Sequence, residues 1–175
     1  VDGHAATQNP NYNKAGWLAD MTPAQRASTW RNAVEAYARM ASIDWQGDGF
    51  DFMARPDRGE PGLDQYLGYI EAWYHGCRKD REMPYVDTAI DYIRTHQPQD
   101  TSVNVLWGDS TPSNVMFAPD GSVNALIDWE LAALGPAELD LAWWLYFDDL
   151  FSRRFGVERL EGLPTRDETV AIWEA

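Results

Sequence analysis

Three polar side chains stand beside short apolar segments in the second half of the sequence. Asp109 comes shortly after the mostly apolar segment 103–106. Asn114 opens a second segment of this kind, and Asp128 follows a third. Because short strands joined by tight turns bring their ends together, we expect the three side chains to converge on one pocket. One carboxylate can accept a hydrogen bond from an attacking hydroxyl, while an amide and a second carboxylate can hold Mg²⁺, and phosphoryl transfer requires such groups.

Two other interpretations of these residues remain open. Asp and Asn are common in turns, so Asp109 and Asn114 alone would be equally typical of an ordinary loop. The ordered series with Asp128 and the later Asp140 favours a functional site. A metal-dependent hydrolase is the second alternative, although two-metal sites usually draw on more Asp, Glu and His residues than we find here.

The composition indicates a globular protein with an acidic surface. The 175 residues include 28 acidic and 14 basic ones, which gives a formal net charge of -14. Nucleic acid is not an expected partner, because phosphates are bound by clustered Lys and Arg. No segment approaches the roughly 20 apolar residues of a membrane helix, and the single Cys77 suits a reducing compartment. We therefore expect a cytoplasmic protein without membrane contact, and its 9 Trp residues predict an aromatic-rich core.

Helices and a small β-ribbon are predicted to position the polar groups. Thr22, Pro23 and Gln25 form a capped helix start, since Thr caps, Pro suits the first position and Gln closes a capping box. Apolar residues at helical spacing extend this helix to about Ile43. Similar patterns predict further helices at about 62–78, 84–96 and 136–150 and from Thr165 onwards, and strands at 103–106, 114–117 and 123–127. The predicted fold class is α+β, mainly α, with helices around the ribbon.

The polar residues also form a recognisable motif. The sequence Trp-Gly-Asp at 107–109, followed by four residues, Asn114 and then Asp128, resembles a catalytic loop with its metal-binding motif. The similarity is to the aminoglycoside phosphotransferase and choline kinase superfamily, which is distantly similar to protein kinases. The stretches 132–136 and 140–142 match that superfamily in order and spacing.

The resemblance implies a fold, a reaction and residue roles. The fold would be a protein-kinase-like C-terminal lobe whose β-ribbon carries the catalytic loop. The reaction would transfer a phosphoryl group from ATP (or GTP), with Mg²⁺, to a hydroxyl of a small molecule. Asp109 would be the catalytic base or orient the hydroxyl, and Asn114 and Asp128 would hold Mg²⁺. Trp107 and Asp140 would give the catalytic loop structural support.

Two features set this sequence apart within the superfamily. Residues 127–132 and 38–45 are most similar to the subgroup related to kinase-like domains fused to acyl-CoA dehydrogenases, which favours an acyl-type or other hydroxylated metabolite as the acceptor. Trp107 stands where the family usually has the His of its catalytic loop, and Ala41 replaces a second usual His. These replacements favour an alternative function, a catalytically impaired, pseudokinase-like module that binds nucleotide or regulates.

The resemblance also predicts a missing partner. Kinases of this shape grip the nucleotide with an N-terminal lobe that carries a phosphate-covering loop and a strand lysine. The only lysines here are Lys14 and Lys79, and neither lies in a predicted strand. We therefore expect residues 1–21 to be an interlobe linker and 22–175 to be the C-terminal lobe, with the N-terminal lobe of the same chain absent and the last helix truncated. These 175 residues alone should be inactive, and no nucleotide-binding residue is assigned.

Overall fold

The computed structural model describes residues 2–99 and 101–175, which form two compact units. The first unit comprises the described residues of Val1–Ser42, Trp107–Ala132 and Ala137–Ala175. The second unit comprises the described residues of Ile43–Leu106 and Ala133–Pro136. All the predicted site residues belong to the first unit.

Six α-helices and four short strands make up the regular structure of the described residues. The helices are α1 (Trp17–Asp20), α2 (Pro23–Ala38), α3 (Leu63–Arg78), α4 (Pro84–Thr95), α5 (Glu138–Asp149) and α6 (Arg166–Trp173). The strands are β1 (Asn104–Leu106), β2 (Val115–Phe117), β3 (Val123–Leu126) and β4 (Ala133–Gly135). This mainly helical architecture confirms the predicted fold class. Within the same residues, no helix is long and apolar enough to cross a membrane.

Capping interactions begin the two helices whose starts are clearest in the sequence. The side chain of Thr22 accepts a hydrogen bond from the backbone N–H of Gln25, and the Gln25 side chain accepts one from the N–H of Thr22. Thr165 and Glu168 form the same reciprocal pair at the start of α6. Each pair satisfies two backbone donors that the first helical turn leaves free. The helix that begins at Pro23 is α-helical only to Ala38 and then tightens into a 3₁₀ turn.

The strands form two separate antiparallel pairs instead of one ribbon. β2 pairs with β3 as predicted, with Val115 opposite Leu126. β1 pairs with β4, where Asn104 lies opposite Gly135. The sequence analysis did not predict β4, because three residues of the Ala-Leu-Gly type carry no strand signal of their own. Its pairing depends on a partner far away in the sequence.

An aromatic cluster forms the core of the first unit, as the Trp content predicts. The ring of Trp30 in α2 meets the ring of Trp144 in α5 edge to face at 4.8 Å between centroids. Tyr37, two turns later in α2, lies 5.4 Å from Trp144. Edge-to-face contacts of this kind add about 1 kcal/mol to the effect of burial. The cluster therefore fixes α5 against α2, and α5 is the helix that supports the candidate site.

In the second unit, Arg94 joins α4 to α3. Its guanidinium donates to both carboxylate oxygens of Glu71, at 2.7 and 2.8 Å, and to Asp64 at 2.6 Å. The Arg94 hydrogen bonds hold the pKa of Glu71 below its usual range. A carboxyl whose pKa is lower in the folded state stabilises the fold above its unfolded pKa and loses that contribution as the pH falls.

We expect Glu71→Gln to lower the free energy of unfolding by about 1 kcal/mol at neutral pH, since it weakens a bidentate, partly buried ion pair. The difference from the unsubstituted protein should shrink as the pH falls below the unfolded value for Glu, about 4.3, and be lost as the pH passes through the lowered pKa of Glu71. Urea unfolding at several pH values measures it. Glu82→Gln, at an exposed acid outside the ion pairs of the described residues, is the control. A difference that is constant with pH would contradict the assigned ion pair.

Candidate active site

The loop that follows β1 turns sharply at a glycine. Gly108 has φ +86°, in the region that disfavours side chains. A Cβ at this position would lie 2.1 Å from the carbonyl oxygen of Leu131, which is too close for any side chain. The glycine of the Trp-Gly-Asp motif is thus required by both conformation and space. It lets the loop residue Asp109 approach the segment that follows Asp128.

The first turn of α5 supports this loop through Asp140. The two carboxylate oxygens accept hydrogen bonds from the backbone N–H groups of Trp107, at 2.8 Å, and Gly108, at 2.9 Å. The Asp140 carbonyl accepts a third from the hydroxyl of Ser110, at 2.6 Å. Burial raises the pKa of Asp140, and the two N–H donors oppose that rise. These contacts are the ones that a supporting residue would make.

Asp109 and Asn114 are in direct contact. Asp109 ends the sharp turn, and a short 3₁₀ turn, Pro112–Asn114, brings the amide back beside it. The Nδ2 of Asn114 donates to the carboxylate Oδ2 of Asp109 at 2.7 Å and to its carbonyl oxygen at 3.1 Å. Both partner atoms are acceptors, so the amide nitrogen must face Asp109. The amide oxygen of Asn114 then receives no hydrogen bond from the residues that the structure describes, and it is free to bind a ligand.

Asp128 is held near this pair through its backbone. The preceding residue, Ile127, donates its N–H to the carbonyl of Asn114 at 2.9 Å. The carbonyl of Ile127 accepts the indole N–H of Trp107 at 2.8 Å. Asp128 itself is exposed and has φ +61°, a left-handed conformation that Asp tolerates better than most residues. The structure therefore brings Asp109 and Asn114 into contact. Asp128 directly follows Ile127, whose backbone is hydrogen-bonded to Asn114.

Trp107 is fully buried and connects two parts of the site. Its backbone N–H binds Asp140, and its indole N–H binds the carbonyl that precedes Asp128. The side chain that stands in the place of the usual His thus tethers the Trp-Gly-Asp loop to the segment of Asp128. This contact favours the supporting role predicted for Trp107.

One neighbour of Asp109 was missed by the sequence analysis. The indole N–H of Trp143, in α5, donates to the carboxylate Oδ1 of Asp109 at 2.9 Å. Trp143 lies three residues after Asp140, so both side chains project from the same side of the helix. That spacing is the signal that could have identified it, once Asp140 was known to face the loop.

The candidate metal ligands suit Mg²⁺ better than they suit a metal ion whose ligands all come from the protein. Asn114 can supply an amide oxygen and Asp128 a carboxylate, which are hard oxygen ligands. Among residues 2–99 and 101–175, no group of three or more His, Cys, Asp or Glu side chains could hold a metal. Mg²⁺ is commonly bound by one or two carboxylate or amide groups and completes its shell with water and substrate phosphates. The few ligands present are therefore consistent with such an ion.

The fold is that of the kinase-like aminoglycoside phosphotransferases. The sequence matches the phosphotransferase enzyme family known as APH over residues 11–172. That match covers most of the 175 residues, and the chain belongs to this family.

Two solved structures share the fold. A putative aminoglycoside phosphotransferase from Ralstonia eutropha is similar with a TM-score of 0.73 and 22% identity, over 99% of this chain and 52% of that one. An aminoglycoside-3'-phosphotransferase of type VIII has a TM-score of 0.59 and 19% identity, over 99% of this chain and 64% of that one. At these identities the comparison establishes the fold alone.

The similar curated proteins are much longer than this chain. Rat acyl-CoA dehydrogenase family member 11 is 24% identical over 166 residues, which are 89% of this chain and 20% of that protein. Mouse acyl-CoA dehydrogenase family member 10 is 25% identical over 129 residues, 72% of this chain and 12% of that protein. The chain spans a fifth or less of these relatives. Together with the family match, they confirm the resemblance on which the sequence analysis relied.

Proposed function

We propose that the protein transfers the γ-phosphoryl group of ATP (or GTP) to a hydroxyl of a small molecule. The observation that carries this proposal is the contact between Asp109 and Asn114. The amide nitrogen of Asn114 donates to the Asp109 carboxylate, and the amide oxygen of Asn114 can bind a cation. A single residue thus couples the group that would receive the acceptor hydroxyl to the group that would bind the metal.

Each residue has a distinct role in the proposed reaction. Asp109 accepts the hydrogen bond of the acceptor hydroxyl and points its oxygen towards the phosphoryl group, which lowers the barrier chiefly by positioning. Asn114 and Asp128 would hold Mg²⁺, which when bound neutralises charge on the transferring phosphates. Asp140 and Trp107 keep the loop in place through its backbone and through the carbonyl before Asp128. The residues that would bind the nucleotide are not assigned.

The acceptor is proposed only as a class. The relatives are acyl-CoA dehydrogenase family members, and the structural neighbours are named as aminoglycoside phosphotransferases. The resemblance to the first group favours an acyl-type or other hydroxylated metabolite. A panel of hydroxy acids, hydroxyacyl thioesters, amino alcohols, sugars and aminoglycosides, tested with the complete gene product and Mg-ATP, would identify it.

A pseudokinase-like module remains the second candidate because Trp107 replaces the usual His. Its indole nevertheless makes a hydrogen bond that links the loop to the segment of Asp128. That contact supports an intact loop and therefore turnover. Nucleotide binding by the complete gene product without phosphorylation of any acceptor in the panel would support the second candidate instead.

We expect Asp128→Ala to reduce Mg²⁺-dependent turnover of the complete gene product by about 100-fold or more, because a charged metal ligand is lost. Asp128→Asn tolerates the left-handed backbone and keeps an oxygen, so it should lose less activity and need more Mg²⁺. Steady-state rates across a Mg²⁺ titration measure both effects. Asp91→Ala, at an exposed acid of α4, is the control, and a near-normal rate in Asp128→Ala would mean that the metal is held elsewhere.

A further inference from the structure

Both oxygens of the Asp109 carboxylate are held by N–H donors. Trp143 donates to Oδ1 at 2.9 Å, and Asn114 donates to Oδ2 at 2.7 Å. A carboxylate with one tether can still rotate about the bond to its Cβ, whereas two donors on different oxygens define the plane of the group. The orientation of this carboxylate therefore depends on a residue in α5 as well as on the loop.

Trp143 lies one turn after Asp140, in a part of α5 that is tied to the loop. Asp140, one turn earlier, holds the backbone of residues 107 and 108, and its carbonyl holds Ser110. With the Trp143 indole on Asp109, residues 140 and 143 contact four consecutive loop residues. The neighbouring Trp144 is completely buried against Trp30, which prevents α5 from rotating.

An acceptor hydroxyl bound to Asp109 would also lie close to this indole. Trp143 is 36% exposed, so it is only partly used in packing. Its ring lies 5.3 Å from that of Phe147, one turn further along α5. A hydroxyl that binds Asp109 must approach its oxygens to about 2.7 Å. It would then lie beside the indole that holds one of those oxygens.

We propose that Trp143 is a positioning residue that orients the Asp109 carboxylate for the acceptor hydroxyl. This inference rests on the proposed phosphotransferase function. Positioning of the reacting group affects the chemical step, so loss of the N–H should lower kcat. The KM for Mg-ATP should not change, because Trp143 donates its hydrogen bond to Asp109 and not to the proposed metal ligands Asn114 and Asp128.

Two substitutions separate the N–H from the aromatic ring. Trp143→Phe keeps an aromatic ring and removes the donor. Trp143→His restores a donor, because Nε2 of His and Nε1 of Trp are each three bonds from Cβ. A merely structural role would be served as well by Phe as by His, so the order of the two variants is diagnostic.

Steady-state kinetics of the complete gene product, with Mg-ATP and the acceptor found in the panel, provides the first test. We expect Trp143→Phe to lower kcat by about 10-fold or more with the KM for Mg-ATP unchanged, which corresponds to the loss of one hydrogen bond to a charged group. Trp143→His should recover most of that loss. Trp73→Phe, at an exposed Trp of α3, is the control. A wild-type kcat in Trp143→Phe, or a Trp143→His variant no better than Phe, would overturn the inference.

A second readout does not depend on activity. The indole N–H resonance of Trp143, identified by its absence in Trp143→Phe, should shift in Asp109→Asn because the charged acceptor is removed. An unchanged resonance would overturn the inference. If the resonance shifts but the unsubstituted protein phosphorylates no acceptor, the contact stands and the proposed function is the part that fails.

Discussion

Asp109→Asn is expected to lower kcat by about three orders of magnitude, within the range typical for loss of a positioned acid–base group. The substitution keeps the size of the side chain and removes its charge. The indole of Trp143 and the amide of Asn114 both donate to the carboxylate in the unsubstituted protein. The Asn amide has a single acceptor oxygen, so one of these two hydrogen bonds would be lost as well.

The kinetics of this variant should separate chemistry from folding. Asp109 is only half-buried, so the loss of one hydrogen bond should cost about 1 kcal/mol of folding free energy. Rapid-mixing measurements of phosphoryl transfer at saturating Mg-ATP would compare Asp109→Asn with Asp91→Asn. A kcat within 10-fold of the unsubstituted protein would show that another group receives the acceptor hydroxyl.

Asp140→Ala is expected to have the largest effect on stability. It leaves the buried N–H of Trp107 and the partly buried N–H of Gly108 without a partner, and each such group costs about 1–3 kcal/mol. We therefore expect the free energy of unfolding to fall by about 3 kcal/mol and the loop to lose its orientation, with turnover falling as well. Asp140→Asn should lie in between, because one amide oxygen can serve only one of the two donors.

Hydrogen exchange gives a local measure of this effect. The amides of Trp107 and Gly108 should lose protection in Asp140→Ala, whereas Glu138→Gln, at an exposed acid in the same helical turn, should leave them protected. Unchanged exchange at both amides in Asp140→Ala would contradict the supporting role of Asp140.

The pH dependence at Asp140 should have the opposite sign to that at Glu71. Burial raises the pKa of Asp140, so the folded state binds this proton more tightly than the unfolded chain does. The stability contribution of the side chain is then complete at low pH and declines as the pH rises through the raised pKa. The stability difference between the unsubstituted protein and Asp140→Asn should therefore grow as the pH falls, and level off below about 3.9. Urea unfolding over this range measures it.

Local signals in the sequence determined much of the secondary structure. The capping box at Thr22 is where the sequence places it, since its hydrogen bonds join residues only three apart. The helix predicted from Thr165 begins there as well, with a capping box that was not predicted. The hairpin of β2 and β3 likewise follows from a turn and two adjacent apolar segments. The order of the motif residues was sufficient to identify the family, which the comparisons confirm. The catalytic and metal-binding roles of those residues stay predictions.

Only the tertiary structure decided the features that join distant parts of the chain. The pairing of β1 with β4 is long-range, and β4 has no strand propensity of its own that would reveal it. The left-handed backbone of Asp128 and the indole contact of Trp143 with Asp109 also depend on which segments pack together. Short-range hydrogen bonds are encoded by neighbouring residues, whereas the orientation of a carboxylate is set by whatever the fold brings next to it. For this reason the sequence could single out Asp109 as a candidate, and only the structure could show that Trp143 donates to its carboxylate.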